Sequence, residues 1–265
     1  MTAIPILNYH SISRGGTDRF VKFTLPPEMF AQHMKLISDQ GYTPITVADL
    51  ARKISTPASL PEKPVIITFD DGFADFYSSA LPILQEFHFP ASFFVVTDNM
   101  DGTSKWLRPE GEEDREMLTW SRLSDVQKAG IECGTHSKTH IHLDTAKPEV
   151  ARQEIFRSKE ILEQKLGSPV YTIAYPYGHY TRTVRRMVID ARYAAACAVR
   201  NTMSHTDDDL FGLARITISR GTDAAHLSDM LAGKGLALAP RYEYPWVAGW
   251  RQVRRVRQMF SRTSQ

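Results

Sequence analysis

The run Val65-Ile66-Ile67-Thr68-Phe69-Asp70-Asp71-Gly72 constrains this chain more than any other stretch, because an apolar, β-branched segment stops abruptly at two acids and a glycine. Such a run reads as a buried strand that delivers charge to its own end. Neighbouring residues on a regular strand face opposite ways, so Asp70 and Asp71 can serve one site only if the strand breaks there, and Gly72 permits the break. The competing reading is that Asp-Gly merely marks a turn between elements. What the chain brings to its other strand ends weighs between the two.

Ile4 to Asn8 is a short apolar strand candidate ending at Tyr9-His10, with His10 either at the mouth of a site or simply exposed. Pro26-Pro27 can start a helix with Phe30, Met34 and Ile37 on one face and Gly41 at its stop. Tyr42 to Thr46 is extended, and Thr46 with Asp49 resembles a capping pair for a helix carrying Leu50 and Ile54. Phe76, Ala80, Leu84 and Phe87 fall at helical spacing before Pro90, and Ala91 to Val96 is an apolar run of strand length. This β-α-β order implies parallel neighbours. Asp98 to Glu116 reads as a long polar surface loop, containing Trp106 and bordering a cleft. Leu118 to Ala129 reads as a short helix closed by Gly130, and Ile131 to Thr135 as a strand that runs straight into His136. Lys147 to Leu166 is a long helix stopped by Gly167, its charged residues mostly a solvated face. Val170 to Ala174 is a strand ending in the rigid aromatic turn Tyr175-Pro176-Tyr177-Gly178. Tyr180 to Ala191 is helical, Ala194 to Val199 is a small-residue strand, and Ala214 to Ile218 is the last strand of the core.

His136-Ser137-Lys138-Thr139-His140 sets two imidazoles four residues apart, a spacing that brings them together on a helical turn or tight loop and suits a metal. Pairs of surface histidines are common, but this pair directly follows an apolar strand, as the acids do, and the metal reading is preferred. His142 is expected beside the site or at the surface rather than as a third imidazole ligand. At 265 residues and 42% hydrophobic content, one large α/β core is expected, without an internal linker or repeat. A net charge of +2 with mixed signs does not indicate nucleic acid. Cys133 and Cys197, far apart in apolar surroundings, are expected as buried free thiols. The start lacks a basic stretch followed by a long apolar run, so the cytoplasm is the expected compartment.

In order and spacing, three motifs resemble those of the polysaccharide deacetylases of the NodB-homology type, carbohydrate esterase family 4. Thr68-Phe69-Asp70-Asp71-Gly72 is similar to the first, His136-Ser137-Lys138-Thr139-His140 to the second, and Ala174-Tyr175-Pro176-Tyr177-Gly178 to a variant of the third; Leu7-Asn8-Tyr9-His10 and Phe30 to Leu50 also resemble the lead-in. The resemblance implies a distorted (β/α) barrel of about seven parallel strands, with its site at the strand C-termini, over residues 1–240. It implies that Asp71, His136 and His140 hold a divalent metal, Asp70 is the general base, and the backbone N–H of Tyr177 faces the oxyanion. Zinc is the first expectation for the metal, though two histidines and a carboxylate also suit iron, cobalt or nickel. The implied activity is removal of acetyl groups from N-acetylated amino sugars of a polysaccharide, oligosaccharide or lipid-linked glycan. Trp106, Trp120, Tyr175 and Tyr177 are candidates to stack on sugar faces, with Pro176 and Gly178 beside them in the third motif.

The chain also departs from the family pattern. Many members have an arginine two residues before the proline of the third motif, where this chain has Ala174. Arg215, at the start of the last core strand, is the replacement candidate to pair with Asp70, against the reading that it is a structural or surface cation. The late histidine segment that supplies the general acid is missing, and His205 and His226, the only later histidines, are weak substitutes. The tail, 241–265, is basic and aromatic. Its stretch 246–260 fits either a peripheral contact with an anionic membrane at the inner face or a final helix on the barrel. A metal-dependent amidase or deformylase for a small substrate, and a non-catalytic glycan-binding protein, remain the alternative functions.

Overall fold

The computed structural model describes residues 2–56 and 59–240, with Gly249, Gln252 and Arg254 beyond them. In chain order the strands are β1 (Ala3–Ile4), β2 (Ile6–Tyr9), β3 (Thr43–Ile45), β4 (Pro64–Phe69), β5 (Ser92–Val95), β6 (Glu132–Thr135), β7 (Thr172–Ala174), β8 (Ala195–Cys197), β9 (Ser204–His205) and β10 (Ile216–Thr217). The helices are α1 (Pro27–Asp39), α2 (Val47–Ser55), α3 (Leu81–Glu86), α4 (Trp120–Lys128), α5 (Pro148–Leu166), α6 (Arg182–Asp190) and α7 (Ala224–Leu231).

Seven parallel strands form one curled sheet in the order β10-β2-β4-β5-β6-β7-β8, and β3 shares an edge of β4 with β5. The expected β-α-β progression produces it, since each helical crossover returns the chain parallel to the strand before. The seam beyond β8 is filled by the segment entering β10. Ala196 N–H donates to Leu210 O at 2.7 Å and Ala198 N–H to Leu213 O at 2.8 Å, after which β10 pairs with β2.

Strand alternation sorts the side chains into two environments. Val65, Ile67, Phe69, Phe93 and Val95 point outward and pack with Phe30, Met34 and Leu84 under the helices. Ile6, Ile66, Phe94, Ala174, Cys197 and Leu213 fill the interior of the curl. Gly134 faces inward where Phe94 crosses, and a Cβ there would lie 2.6 Å from the ring, so the position excludes a side chain. Below that layer, half-buried Glu132 accepts hydrogen bonds from Ser92 Oγ at 2.6 Å, Thr172 Oγ1 at 2.5 Å and the Ala48 N–H at 3.1 Å. This network ties β5, β6 and β7 to the start of α2.

Helix boundaries follow local chemistry. Pro27 and Pro148 open α1 and α5, while the side chains of Thr46, Thr119, Thr181 and Asp223 accept N–H groups in the first turns of α2, α4, α6 and α7. The helix expected before Pro90 has a π-helical turn at Phe76–Ala80 that runs into α3. The β1–β9 ribbon and α7 were not expected from the sequence. Cys133 and Cys197 are free and buried, as anticipated. The segment expected as a polar surface loop, 98–116, contains a 3-10 turn at Lys105–Glu110. Its Leu107, together with Met117, packs on Phe20 and Phe73, so part of it is a small core of its own. The basic aromatic tail lies outside the described residues apart from Gly249, Gln252 and Arg254, and Arg254 donates to the buried Asp144 carboxylate at 2.6 Å. No described helix is long and apolar enough to cross a membrane.

Candidate active site

Period-two alternation places Ile66, Thr68 and Asp70 on the inner face of β4, with Asp70 at its C-terminal end. The chain then turns at Asp71, whose own backbone is left-handed (φ 74), followed by Gly72 (φ 87). This break brings both acids to the same side. Ser137, His140 and Tyr177 are left-handed as well (φ 61, 60 and 59), so with Asp71 four of the eight left-handed non-glycine residues among those described lie where β4, β6 and β7 end.

One ligand atom from each of Asp71, His136 and His140 lies within 4.8 Å of the others, and all three residues are buried. Asp71 Oδ1 is 3.2 Å from His140 Nε2 and 3.6 Å from His136 Nε2. His136 Nδ1 lies 2.9 Å from the Ala174 carbonyl, which can only accept, so Nδ1 carries the proton and the Nε2 lone pair faces the cluster. Burial pushes the His136 imidazole down to about 4, against the pull of Asp70. It is therefore neutral and able to ligate at neutral pH. A buried set of one carboxylate and two imidazoles fits a divalent cation.

The loop between the two histidines is fastened from α5. Glu154 accepts from the N–H groups of Lys138 and Thr139 at 2.9 and 2.8 Å and from Thr139 Oγ1 at 2.6 Å. Glu154 is buried, an exception to the solvated face expected for this helix. Its sequence signal is spacing: Glu154 lies three residues after Ala151 and four before Ser158, on the buried face of α5.

Arg215 is fully buried and grips Asp70 with both ends of its guanidinium, Nη1 to Oδ1 and Nη2 to Oδ2, each at 2.7 Å. It also donates to Thr68 Oγ1, Asn8 Oδ1 and the Ala198 carbonyl. Burial alone would raise the Asp70 carboxyl, but the Arg215 charge and hydrogen bonds, with His136 beyond, hold it well below the usual carboxylate range. Asp70 Oδ2 remains 3.9 Å from His136 Nε2, at the edge of the cluster.

A cavity of about 780 Å³ opens over these groups, with His10, Lys22, Trp106, Glu110 and Tyr177 in its walls. The Trp106 ring lies over His140 with centroids 5.0 Å apart, and Tyr177 meets His140 edge-on at 4.7 Å. His142 stacks flat on Tyr177 at 3.7 Å, beside the site. Gly178 also lines the cavity, and its backbone packs so closely on Val199 that a Cβ would clash. Tyr175 and Pro176, expected to touch substrate, are buried beneath the site. The Tyr175 ring stacks on Tyr180 and its hydroxyl donates to Phe211 O at 2.9 Å, because the strand direction turns it away from the cavity. Trp120 sits at the start of α4 under Lys165, also away from the cavity. His205 is bonded to Ala239 O in the β1–β9 region, and exposed His226 caps onto Asp223, so neither weak candidate for the general acid reaches the cavity.

The sequence profile described as polysaccharide deacetylase matches residues 58–196. The Bacillus subtilis protein YxkH is 26% identical over 218 residues, covering 82% of this chain and 72% of that protein. The Escherichia coli poly-β-1,6-N-acetyl-D-glucosamine N-deacetylase is 31% identical over 138 residues, 49% of this chain but 20% of that protein, so the chain spans about a fifth of that relative. Among solved structures, the Streptococcus pyogenes deacetylase PplD in complex with acetate superposes with a TM-score of 0.75 at 26% identity, covering 87% of this chain and 98% of that one.

Proposed function

This chain belongs to the polysaccharide deacetylase family, and from that premise we propose that it is a metal-dependent N-deacetylase of N-acetylated amino sugars in a glycan. The observation that carries the reading is the buried cluster of Asp71, His136 and His140 with Asp70 at its edge. Zinc is the first choice for the donor set, and iron, cobalt or nickel also suit it. When bound, the cation supplies polarisation of the acetamido carbonyl and lowers the pKa of a neighbouring water toward neutrality.

Asp70 takes the proton of that water as its oxygen bonds to the carbonyl carbon. A carboxylate held so low by Arg215 is a weak base toward ordinary water, so Asp70 acts only beside the donor cluster. The backbone N–H of Tyr177 is assigned to the oxyanion, following the family resemblance. As the C–N bond breaks, the leaving nitrogen needs a proton. His10 is our candidate donor, since it lines the cavity and its Nδ1 is buried without a hydrogen-bond partner among the described residues. Acetate and a free amine result. Trp106 and Tyr177 offer the aromatic surface for the sugar.

The test is acetate release from zinc-loaded protein on oligomers of β-1,6-linked N-acetylglucosamine. Asp70→Asn is expected to slow release by about 10²- to 10⁴-fold, and a chelator to stop it until zinc is restored. Release that ignores both would discard the reading, and oligomer binding without release would favour the non-catalytic alternative.

A further inference from the structure

One wall of the cavity is made by two segments far apart in sequence, residues 11–23, which carry Lys22, and residues 103–117, which carry Trp106 and Glu110. We propose that Arg115 is a positioning residue for substrate recognition, which locks these two segments into a single wall and so sets how tightly a glycan is held, without touching the reacting atoms. The proposal rests on the deacetylase reading of the cavity.

The Arg115 guanidinium lies against a pair of rings that meet edge to face, 4.7 Å from the Phe20 centroid and 5.6 Å from that of Phe73. Its Nη1 donates to Ser11 Oγ at 3.1 Å and Ser13 Oγ at 3.5 Å, and its Nη2 to Gly15 O at 3.2 Å, all on the first segment. Toward its own segment, Nε and Nη2 both reach Glu112 Oε2, at 3.0 and 2.8 Å. Glu112 passes the tie back, because its Oε1 accepts the Thr17 N–H at 2.5 Å. Thr17 Oγ1 donates to Glu110 O at 2.7 Å and Arg19 to Pro109 O at 2.8 Å, so the seam is closed along its length. Beneath it, Asp75 lies 3.5 Å from Arg115 and accepts from Ser11 Oγ at 2.6 Å and the Ile12 N–H at 3.1 Å. The fork of a guanidinium is needed to face all these acceptors while its plane covers aromatic surface, which an ammonium cannot do. Loss of the fork frees the two segments to separate, and Trp106 and Lys22 no longer keep a fixed spacing across the bound sugar.

The experiment compares zinc-loaded wild type with Arg115→Met and Arg115→Lys by hydrogen exchange and by kinetics on an acetylated amino-sugar oligomer. Arg115→Met is expected to speed exchange in both 11–23 and 103–117 and to raise KM by about 10- to 100-fold. In the same variant kcat stays within about threefold and zinc affinity is unchanged. Arg115→Lys is expected to recover only part of the loss. Unchanged KM, a fall in kcat at constant KM, or faster exchange confined to 103–117 would each overturn the proposal. Should Arg115→Met fail to fold, Glu112→Ala removes the carboxylate that bridges Arg115 to the Thr17 N–H and must give the same split between KM and kcat in smaller measure. If wild type releases no acetate from any sugar, the deacetylase reading fails separately. Exchange, with equilibrium binding of the same oligomer about tenfold weaker in Arg115→Met, then decides the latch alone.

Discussion

On the cavity floor, Asp70, Asp71, His136 and His140 come from two short runs at the ends of β4 and β6, whereas the wall above them joins residues 11–23 to residues 103–117 by side-chain bonds across the sequence. The floor is fixed by strand geometry, because a parallel sheet delivers each strand end to the same edge and short left-handed turns then aim the side chains. The wall is fixed by closure of loops over a small apolar cluster of Phe20, Phe73, Leu107 and Met117. Floor and wall are thus built on different physics, and they meet where Trp106 lies over His140. A floor substitution should act on kcat and stability, a wall substitution on KM.

The largest effect tests the floor. Arg215→Met leaves the Asp70 carboxylate buried and unpaired, and is expected to cost about 3–5 kcal/mol of unfolding free energy, read by chemical denaturation, together with most of the acetate release. Adding Asp70→Asn should restore much of the stability and none of the activity. If Arg215→Met alone unfolds like wild type, the buried pair is not what holds the floor together.

A smaller effect follows from the direction of the Asp70 shift. Its folded pKa lies below the unfolded value of about 3.9, so at higher pH both states are ionised and the stabilisation is fully present. As pH falls below about 4, the unfolded chain takes up a proton that the folded protein refuses, and the stabilisation drains away toward the folded pKa. Unfolding free energy measured from pH 5 downward should therefore fall more steeply for wild type than for Asp70→Asn. Parallel slopes would break the assignment.

The smallest effect sharpens the wall. Trp106 covers His140 and lies near Phe73, and Trp106→Ala is expected to raise KM by roughly 3- to 10-fold with kcat nearly unchanged. A fall in kcat at constant KM would place Trp106 with the floor and erase the division between the two regions.

The parts legible in the sequence share a property. The β4 run, its acids, the four-residue histidine spacing and the caps at Thr46 and Pro27 are each written within a few residues, where alternation, helical periodicity and turn chemistry act directly. Tyr175 was read as a sugar contact from its place in an aromatic turn, but it continues the alternation of β7 after inward-facing Ala174 and so turns outward onto Tyr180 and Phe211. Glu154 looked like one more charge on a long helix until the loop bearing His136 and His140 was seen to hang its N–H groups upon it. Residues 98–116 looked polar because their apolar partners, Phe20 and Phe73, lie in other parts of the chain.

By itself the amino-acid sequence determined the order of the parallel strands and of the helices through α6, and the presence of acids and imidazoles at strand ends, since these depend on local backbone preference and burial pattern. Only the tertiary structure decided that Arg215 closes on Asp70, that Glu154 fastens the histidine loop and that Arg115 binds two loops into one wall. A charge removed from water must find a partner among whatever groups the fold brings near, and that choice depends on distances between segments which no local pattern encodes.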